Sequence, residues 1–186
     1  YYILPKRTST KNYCWAYMNT CCYRRIRFTQ LLKMEKMTAL EVYLSGEIHT
    51  DWREKIQSGA ADLNLSVKFH SPVTDHDSSD DCGVVILGHE KSPFWKDHKG
   101  AKLNAIRTRT LIDRSDLVIV RFGDQYKQWN AAFDAGYAAA LGKAIIVLHD
   151  PNLTHPLKEV DAAALAVAET PEQVVKILAY VLSGKL

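Results

Sequence analysis

The stretch that decides the fold is LVIVRFGDQYKQWNAAFDAGYAAALGKAIIVL, residues 117–148. It opens with a continuous apolar run at 117–120 and closes with a second run at 144–148, the pattern of strands covered on both faces. Between them the sequence predicts a helix with Asn130 as its N-cap, ending before Gly142. Two buried strands joined by a helix form a right-handed βαβ unit, which predicts an α/β fold with a parallel sheet.

The rest of the chain continues this alternation of strand and helix. A short β-rich run at 40–45 is followed by a helix that begins at Asp51, with Glu54 completing a predicted capping box. Alternation at 65–69 is typical of a half-exposed edge strand. A polar loop is predicted at 71–81, and the apolar run at 84–87 suits helix and strand equally. A helix is predicted at 101–114, with Leu103, Ile106, Thr110 and Leu111 on one face, and a fifth strand at 162–168. The last helix is predicted to be capped by Thr170 and Gln173 and to bury Val174, Val175, Leu178, Val181 and Leu182.

Charge divides the chain into two parts. Residues 1–36 carry eight basic side chains and one acid, a balance of +7, whereas residues 37–186 carry sixteen basic and twenty acidic side chains, a balance of −4. A mildly acidic domain without a basic stripe is not expected to bind nucleic acid. No apolar run approaches the roughly 18 residues that a membrane-spanning helix needs, so no membrane association is expected either.

The first 36 residues show no hydrophobic periodicity. We interpret them as a disordered or spurious basic extension, with Met37 as the natural start of a domain at 37–186; the alternative is an arginine-rich organelle presequence. Three of the four cysteines lie in this extension, without C-x-x-C spacing or a nearby histidine, so a zinc site is not expected. Cys82 is alone in the domain and cannot form an internal disulfide, which favours a reducing, cytoplasmic location.

Ligands of open parallel sheets bind beyond the carboxyl ends of the strands. That rule selects three loops, at 45–51, 121–130 and 149–155. The sequence contains no G-x-G-x-x-G, Walker loop, H-E-x-x-H or G-x-S-x-G motif, so dinucleotide, P-loop, zincin and serine-esterase chemistry are not expected. The histidines around Asp77 match no ligand spacing, and neither a metal nor a cofactor is predicted.

The first of these loops contains YLSGEIH, residues 43–49. Gly46 allows a backbone to approach a ligand closely, and the N-terminus of the following helix favours an anion. An ordinary strand-to-helix turn with a solvated Glu47 is the alternative interpretation. The arginines at 107, 109, 114 and 121 could bind phosphate or carboxylate, or could be exposed helix residues.

The second loop leads into WNAAFDAGYA, residues 129–138. If Asn130 caps the helix, Asp134 lies just past the first turn, where the helix dipole favours the ionised carboxylate that a nucleophile requires. A buried stripe of Phe133, Tyr137 and Leu141 would hold Asp134 near the sheet, and Gly136 would allow tight packing. The alternative is a surface aspartate that the dipole stabilises.

Several strings resemble the nucleoside 2-deoxyribosyltransferase superfamily and, more closely, its YtoQ branch. The resemblance covers about residues 39–183. It implies a flavodoxin-like three-layer sandwich with about five parallel strands, homo-oligomers that share active sites, and cleavage of an N-glycosidic bond through a glycosyl-enzyme intermediate. The strings are EVYLSGEIHTDWREKI, SPVTDH, DDCG, FWKDHKGAK, NAIRTRTLID, RFGDQYKQWNAAFDAGYAAALGKAIIVLH and PLKEVDAAALAVAETPEQVV.

The resemblance also assigns roles to residues. Asp134 matches the carboxylate nucleophile, and Tyr43 matches an aromatic residue whose hydroxyl orients that carboxylate. The substrate, a nucleoside or nucleotide, is expected to contact Ser45, Gly46, Glu47, Asn130 and Gly136.

Two departures from the family pattern keep a second hypothesis open. The superfamily nucleophile is usually Glu, and the shorter Asp134 withdraws the carboxylate by roughly 1 Å, a misplacement that can cost ~10²-fold in rate. Superfamily enzymes also carry an acid near the position of Thr108, whereas no acid occurs here before Asp113. The sequence therefore predicts an N-glycosidase or deoxyribosyltransferase, or a nucleotide or nucleotide-sugar binding module without turnover.

Overall fold

Five parallel strands form the centre of the protein in a computed structural model that describes residues 39–125 and 127–186. The predicted extension at 1–36 lies outside the described residues. The elements, in chain order, are β1 Leu40–Gly46, α1 Trp52–Asp62, β2 Val67–His70, α2 His76–Leu87, α3 Pro93–Arg114, β3 Leu117–Arg121, α4 Trp129–Ala140, β4 Ala144–Leu148, a 3₁₀ turn Pro151–Leu153, α5 Lys158–Ala163, β5 Ala166–Ala168 and α6 Pro171–Ser183.

The strand order is β2-β1-β3-β4-β5. This is the flavodoxin-like order, and its switch point lies between β1 and β3. The predicted fold class, a parallel sheet of about five strands, is confirmed. The strand predicted at an edge, β2, is at the edge of the sheet.

Alternate residues of each strand enter two separate cores, which gives the protein three layers. In β1, Val42 and Leu44 pack with α1 and α6, whereas Tyr43 faces the other side. That second core contains Ile112 of α3 and the buried alanines of α4. None of the helices in the described segments has both the length and the apolar composition required to cross a membrane.

The pair α2–α3 corrects one expectation and decides another that the sequence had left open. The loop predicted at 71–81 is helical from His76 onward, and the ambiguous run at 84–87 is the end of the same helix. Asp75 caps it by accepting from the backbone N–H of Ser78 at 2.8 Å. The two helices cross closely, because a Cβ on Gly83 would come within 2.4 Å of the backbone nitrogen of Gly100.

The predicted apolar stripe of α3 is correct only in part. That helix begins at Pro93 rather than at 101; Leu111 packs against the core, whereas Ile106 is exposed. Ile112 is the residue that α3 buries completely against the sheet. The stripe was chosen for packing against the sheet alone, whereas α3 starts eight residues earlier and packs against α2 as well.

Helix ends were predicted with mixed success. The capping box of Thr170 and Gln173 is confirmed, and α6 ends at Ser183 with Gly184 in the left-handed conformation. Asp51 precedes α1 as expected, but its side chain makes no capping hydrogen bond. The predicted fifth strand is shorter than expected, because 162–163 belong to α5.

Candidate active site

A cleft of about 710 Å³ opens beyond the carboxyl end of β1, between α3 and α4. It lies beside the switch point of the sheet, and its volume is that of small-molecule sites. Two of the three loops selected from the sequence contribute to its lining, at 45–49 and 127–130. The third, at 149–155, does not contribute to it.

Asp134 stands in the cleft on the second turn of α4. Its Oδ2 accepts a hydrogen bond from the hydroxyl of Ser45 at 2.6 Å, which ties the helix to the end of β1. Burial raises the pKa of Asp134, while the hydrogen bond from Ser45 acts in the opposite direction. Loss of hydration is the larger of these two influences, and it works against the ionised form that the helix dipole was expected to favour.

Tyr43 lies beneath this pair and is fully buried. Tyr43 and Ser45 share one face of β1 because side chains alternate along a strand. The Tyr43 hydroxyl lies 3.3 Å from Oγ1 of Thr108, and burial raises its pKa to about 12, so it stays protonated near neutral pH. The hydrogen bond to Asp134 that was expected of Tyr43 is made by Ser45 instead.

Gly46 is required by the neighbouring strand. Its φ is 108°, and a Cβ at this position would lie 2.0 Å from the carbonyl oxygen of Arg121. The close approach predicted for Gly46 therefore involves the backbone of β3, and it brings the β1–α1 loop over the end of that strand.

Glu47 lines the cleft but is only 5% exposed. Its carboxylate accepts from the backbone N–H of His49 and from the hydroxyl of Thr50, so it closes its own turn. A Cβ on Gly123 would lie 2.8 Å from Cγ of Glu47, which shows how tightly the next loop packs on this side chain. The solvated Glu47 of the alternative interpretation is wrong.

Arg53 holds the loop in place, and the sequence analysis missed it. Only 4% exposed, it donates from Nε to the carbonyl of Leu44 at 3.3 Å, from Nη2 to Gly46 at 2.9 Å, and from Nη1 to Glu47. Burial lowers the pKa of Arg53 to about 10, which leaves it charged at neutral pH. A cation in the first turn of a helix opposes the helix dipole, and that conflict is the sequence feature that could have drawn attention to it.

Of the other two predicted site residues, Asn130 and Gly136, one lines the cleft and the other does not. Asn130 lines the cleft, but α4 begins one residue earlier and Gln128 occupies the N-cap position, so Asn130 caps nothing. Gly136 faces away: it does not line the cleft, and a Cβ there would meet nothing within 4 Å.

The predicted α4 stripe is correct only for Tyr137, which packs against the core. Ala131, Ala135 and Ala138 are the buried residues, whereas Phe133 is 61% exposed and lines the cleft. Because alanines bring α4 close to the sheet, Asp134 is brought close to Ser45.

The third loop forms a buried pair of its own. His149 accompanies Asp161 of α5, with Nε2 3.2 Å from both carboxylate oxygens and Nδ1 2.7 Å from the carbonyl of Asp150. Over residues 39–125 and 127–186, no group of three or more His, Cys, Asp or Glu side chains is placed to hold a metal ion. His70, near the metal motif that was considered, contacts Glu41.

A flavodoxin-like sheet with a half-buried carboxylate at its switch point defines a class of α/β proteins with a small-molecule cleft. The chain belongs to the family described as nucleoside 2-deoxyribosyltransferase YtoQ, whose model matches residues 43–182. That family is part of the nucleoside 2-deoxyribosyltransferase superfamily.

Individual proteins also resemble this chain. The chain is 44% identical over 139 residues to the uncharacterized protein YtoQ of Bacillus subtilis (strain 168), covering 75% of this chain and 94% of that one. A conserved protein from Enterococcus faecalis V583 has the same fold, with a TM-score of 0.54, 11% identity, and coverage of 77% of this chain and 99% of that one. The 2-deoxyribosyltransferase of Bacillus psychrosaccharolyticus aligns with a TM-score of 0.46 and 18% identity, over 72% of this chain and 89% of that one.

Proposed function

We propose that this protein cleaves, or transfers at, the N-glycosidic bond of a (deoxy)nucleoside or nucleotide, with Asp134 as the nucleophile. The observation that carries the proposal is the hydrogen bond from Ser45 to Asp134, which fixes a carboxylate in the cleft at the switch point. The family's name supports the class of reaction.

The geometry suits a double displacement. The Ser45 hydroxyl donates to Oδ2 of Asp134. Among the described residues no group donates to Oδ1, so Oδ1 is available to attack the anomeric carbon. A C–O bond forms as the C–N bond breaks, and the base leaves with the electron pair of that bond and takes up a proton. Water or a second base then attacks the same carbon and releases Asp134, with net retention of configuration.

A nucleophile must be ionised, and burial works against that form of Asp134. Because burial raises its pKa, activity should fall on acidification at a higher pH than an ordinary aspartate would give. In the transition state the glycosidic C–N bond is partly broken and the sugar carries positive charge. That charge stabilises the ionised carboxylate more strongly in the transition state than in the ground state.

The test is release of free base from a panel of deoxynucleosides, ribonucleosides and their monophosphates. Asp134→Asn keeps the shape and removes the charge, so we expect the chain to fold and the rate to fall by at least ~10²-fold. Tyr43→Phe should lose less, because the Tyr43 hydroxyl contacts Thr108 and not the nucleophile.

The matched control is Asp62→Asn, which removes the same charge from the exposed end of α1. Its rate should equal that of the wild type. Full activity of Asp134→Asn on a substrate that the wild type cleaves would eliminate the proposed role.

The second candidate is a nucleotide or nucleotide-sugar binding module without turnover. The short side chain of Asp134 favours this candidate, because a withdrawn carboxyl can bind a hydroxyl but is poorly placed to attack, and burial works against its ionised form. It predicts that no base is released, although a ligand at 100 times its dissociation constant stabilises the fold by about 2.7 kcal/mol. Loss of that stabilisation in Asp134→Asn would favour binding over catalysis.

We also propose that the protein forms a homo-oligomer through the apolar patch of α2 and α3. This patch consists of five exposed side chains near the α2–α3 connection, among them Ile86 at 67% exposure and Phe94 at 66%. Large exposed apolar patches mark interaction surfaces. The members of the patch are Val85, Ile86, Leu87, Phe94 and Trp95.

Sedimentation velocity tests this association. Ile86→Glu places a charge in the patch and should shift the protein to monomer while the melting temperature of the monomer changes little. Val181→Glu is the matched control, because Val181 is an exposed apolar residue of α6 on the other face. A monomeric wild type, or equal effects of the two variants, would contradict an interface at this patch. The cytoplasmic location inferred from the cysteines stays a prediction.

A further inference from the structure

Three cations line the cleft: Arg107 and Arg109 from α3, and Lys127 before α4. Within the described part of the chain, none of them forms an ion pair with a carboxylate. Arg121, by contrast, lies 3.3 Å from Asp150, outside the cleft. The cleft therefore contains positive charge that the protein does not neutralise by direct pairing.

The contacts of these cations leave most of their donors unused. Arg107 donates from Nη2 to the carbonyl of Ser71 at 3.3 Å. The guanidinium of Arg109 lies 5.7 Å from the ring centre of Tyr137, one turn beyond Asp134 on α4. A guanidinium has five N–H donors, so both arginines can bind a further acceptor.

The acids that line the cleft are not paired with these cations. Glu47 closes its own turn, Asp134 accepts from Ser45, and Asp80 lies 3.6 Å from His76. Asp97, near the start of α3, also lines the cleft, but within the described residues it forms no ion pair with any of the three cations. No carboxylate of the cleft therefore takes the place of an anionic ligand at the arginines.

We propose that the substrate is a nucleoside monophosphate rather than a free nucleoside, with its phosphate bound by Arg107, Arg109 and Lys127. This inference rests on the proposed function, because the same cleft holds Asp134. A phosphomonoester carries a charge of about −1.5 to −2 at pH 7 and offers three acceptor oxygens. Arginine forks match those oxygens in bidentate geometry, and lysine adds a mobile point charge.

The test compares one base in three forms: the nucleoside, the 5′-monophosphate and the 3′-monophosphate. We expect kcat/KM to be at least about tenfold higher for one of the monophosphates, and that one identifies the position of the phosphate. Arg107→Gln and Arg109→Gln should each reduce the ratio of monophosphate to nucleoside kcat/KM by about tenfold. Rising salt should reduce the same ratio, because salt screens exposed charges.

Arg114→Gln is the matched control, since Arg114 lies on the same helix, exposed and outside the cleft. It should keep the wild-type ratio. Equal use of nucleoside and monophosphates, with no effect of the arginine variants, would overturn the phosphate inference and leave the proposed function standing.

If no form releases its base, the proposed function fails, and thermal shifts with the same three compounds decide the inference separately. A larger shift with a monophosphate, lost in Arg107→Gln but kept in Arg114→Gln, supports the phosphate site. Equal shifts with all three compounds, or the same loss in both variants, overturn it.

Discussion

The two faces of the sheet are built differently. On the face covered by α1 and α6, large side chains such as Trp52, Ile56 and Leu178 fill the core. On the face covered by α3 and α4, alanines lie against the sheet and aromatic residues such as Trp129 and Phe133 point outward. The cleft opens beyond the carboxyl end of β1, and its helices α3 and α4 belong to the second face, where close backbone packing brings Asp134 to Ser45. The alanine face of α4 thus positions the site, while the large side chains of that helix are left exposed.

This difference explains where the sequence pattern predicted burial correctly. For α6 it selected Val174, Val175 and Leu178, all of which are buried, although Val181 is exposed. For α4 it selected large residues, of which Phe133 is exposed. Large side chains usually mark the buried face, but that rule fails where small residues make the contact and large ones face a ligand or a partner.

Truncating one large residue on each face tests the comparison most directly. Leu178→Ala removes a fully buried side chain of α6 and should lower the free energy of unfolding by about 2–5 kcal/mol. Phe133→Ala removes a larger side chain from α4 but should change stability by no more than about 0.5 kcal/mol, because that side chain is mostly exposed. Urea unfolding of both variants provides the measurement.

Both variants must be compared in the same oligomeric state. If a partner subunit covers Phe133, its truncation would also lower the free energy of unfolding through the lost contact between subunits. Unfolding at several protein concentrations separates the two contributions. If Phe133→Ala destabilised an isolated monomer as much as Leu178→Ala does, the assignment of α4's outward face would be wrong.

Parts of the site followed from the sequence, and parts could not. The carboxyl-end rule selected the loop of Ser45 and the loop that leads into the helix of Asp134, and both residues line one cleft. Arg53 could not be found from spacing, since its three partners are backbone carbonyls that carry no sequence signature. The helix α2 was missed because its first half, HDSSDD, has the composition of a turn, and its helical state depends on packing against α3.

A smaller effect concerns Asp134, the carboxylate of the second face, and the dependence of stability on pH. A carboxyl whose pKa is raised by folding binds its proton more tightly in the folded chain than in the unfolded chain. For Asp134, stability should therefore decrease as the pH rises from its ordinary value of 3.8 through its higher value in the folded chain, and stay reduced above that value. Asp134→Asn has no such titration, so the variant should gain stability relative to the wild type as pH rises across this window, with the difference largest near neutral pH. Denaturant unfolding of both proteins at a series of pH values, with Asp62→Asn as control, measures this difference in stability.

If Asp134→Asn instead loses stability relative to the wild type over the same rise in pH, a cation or donor stabilises the ionised carboxylate, and Asp134 is held by more than Ser45. A gain would instead show that this face gives up stability to keep a carboxylate in its cleft, as expected for a residue retained for chemistry or binding rather than for the fold.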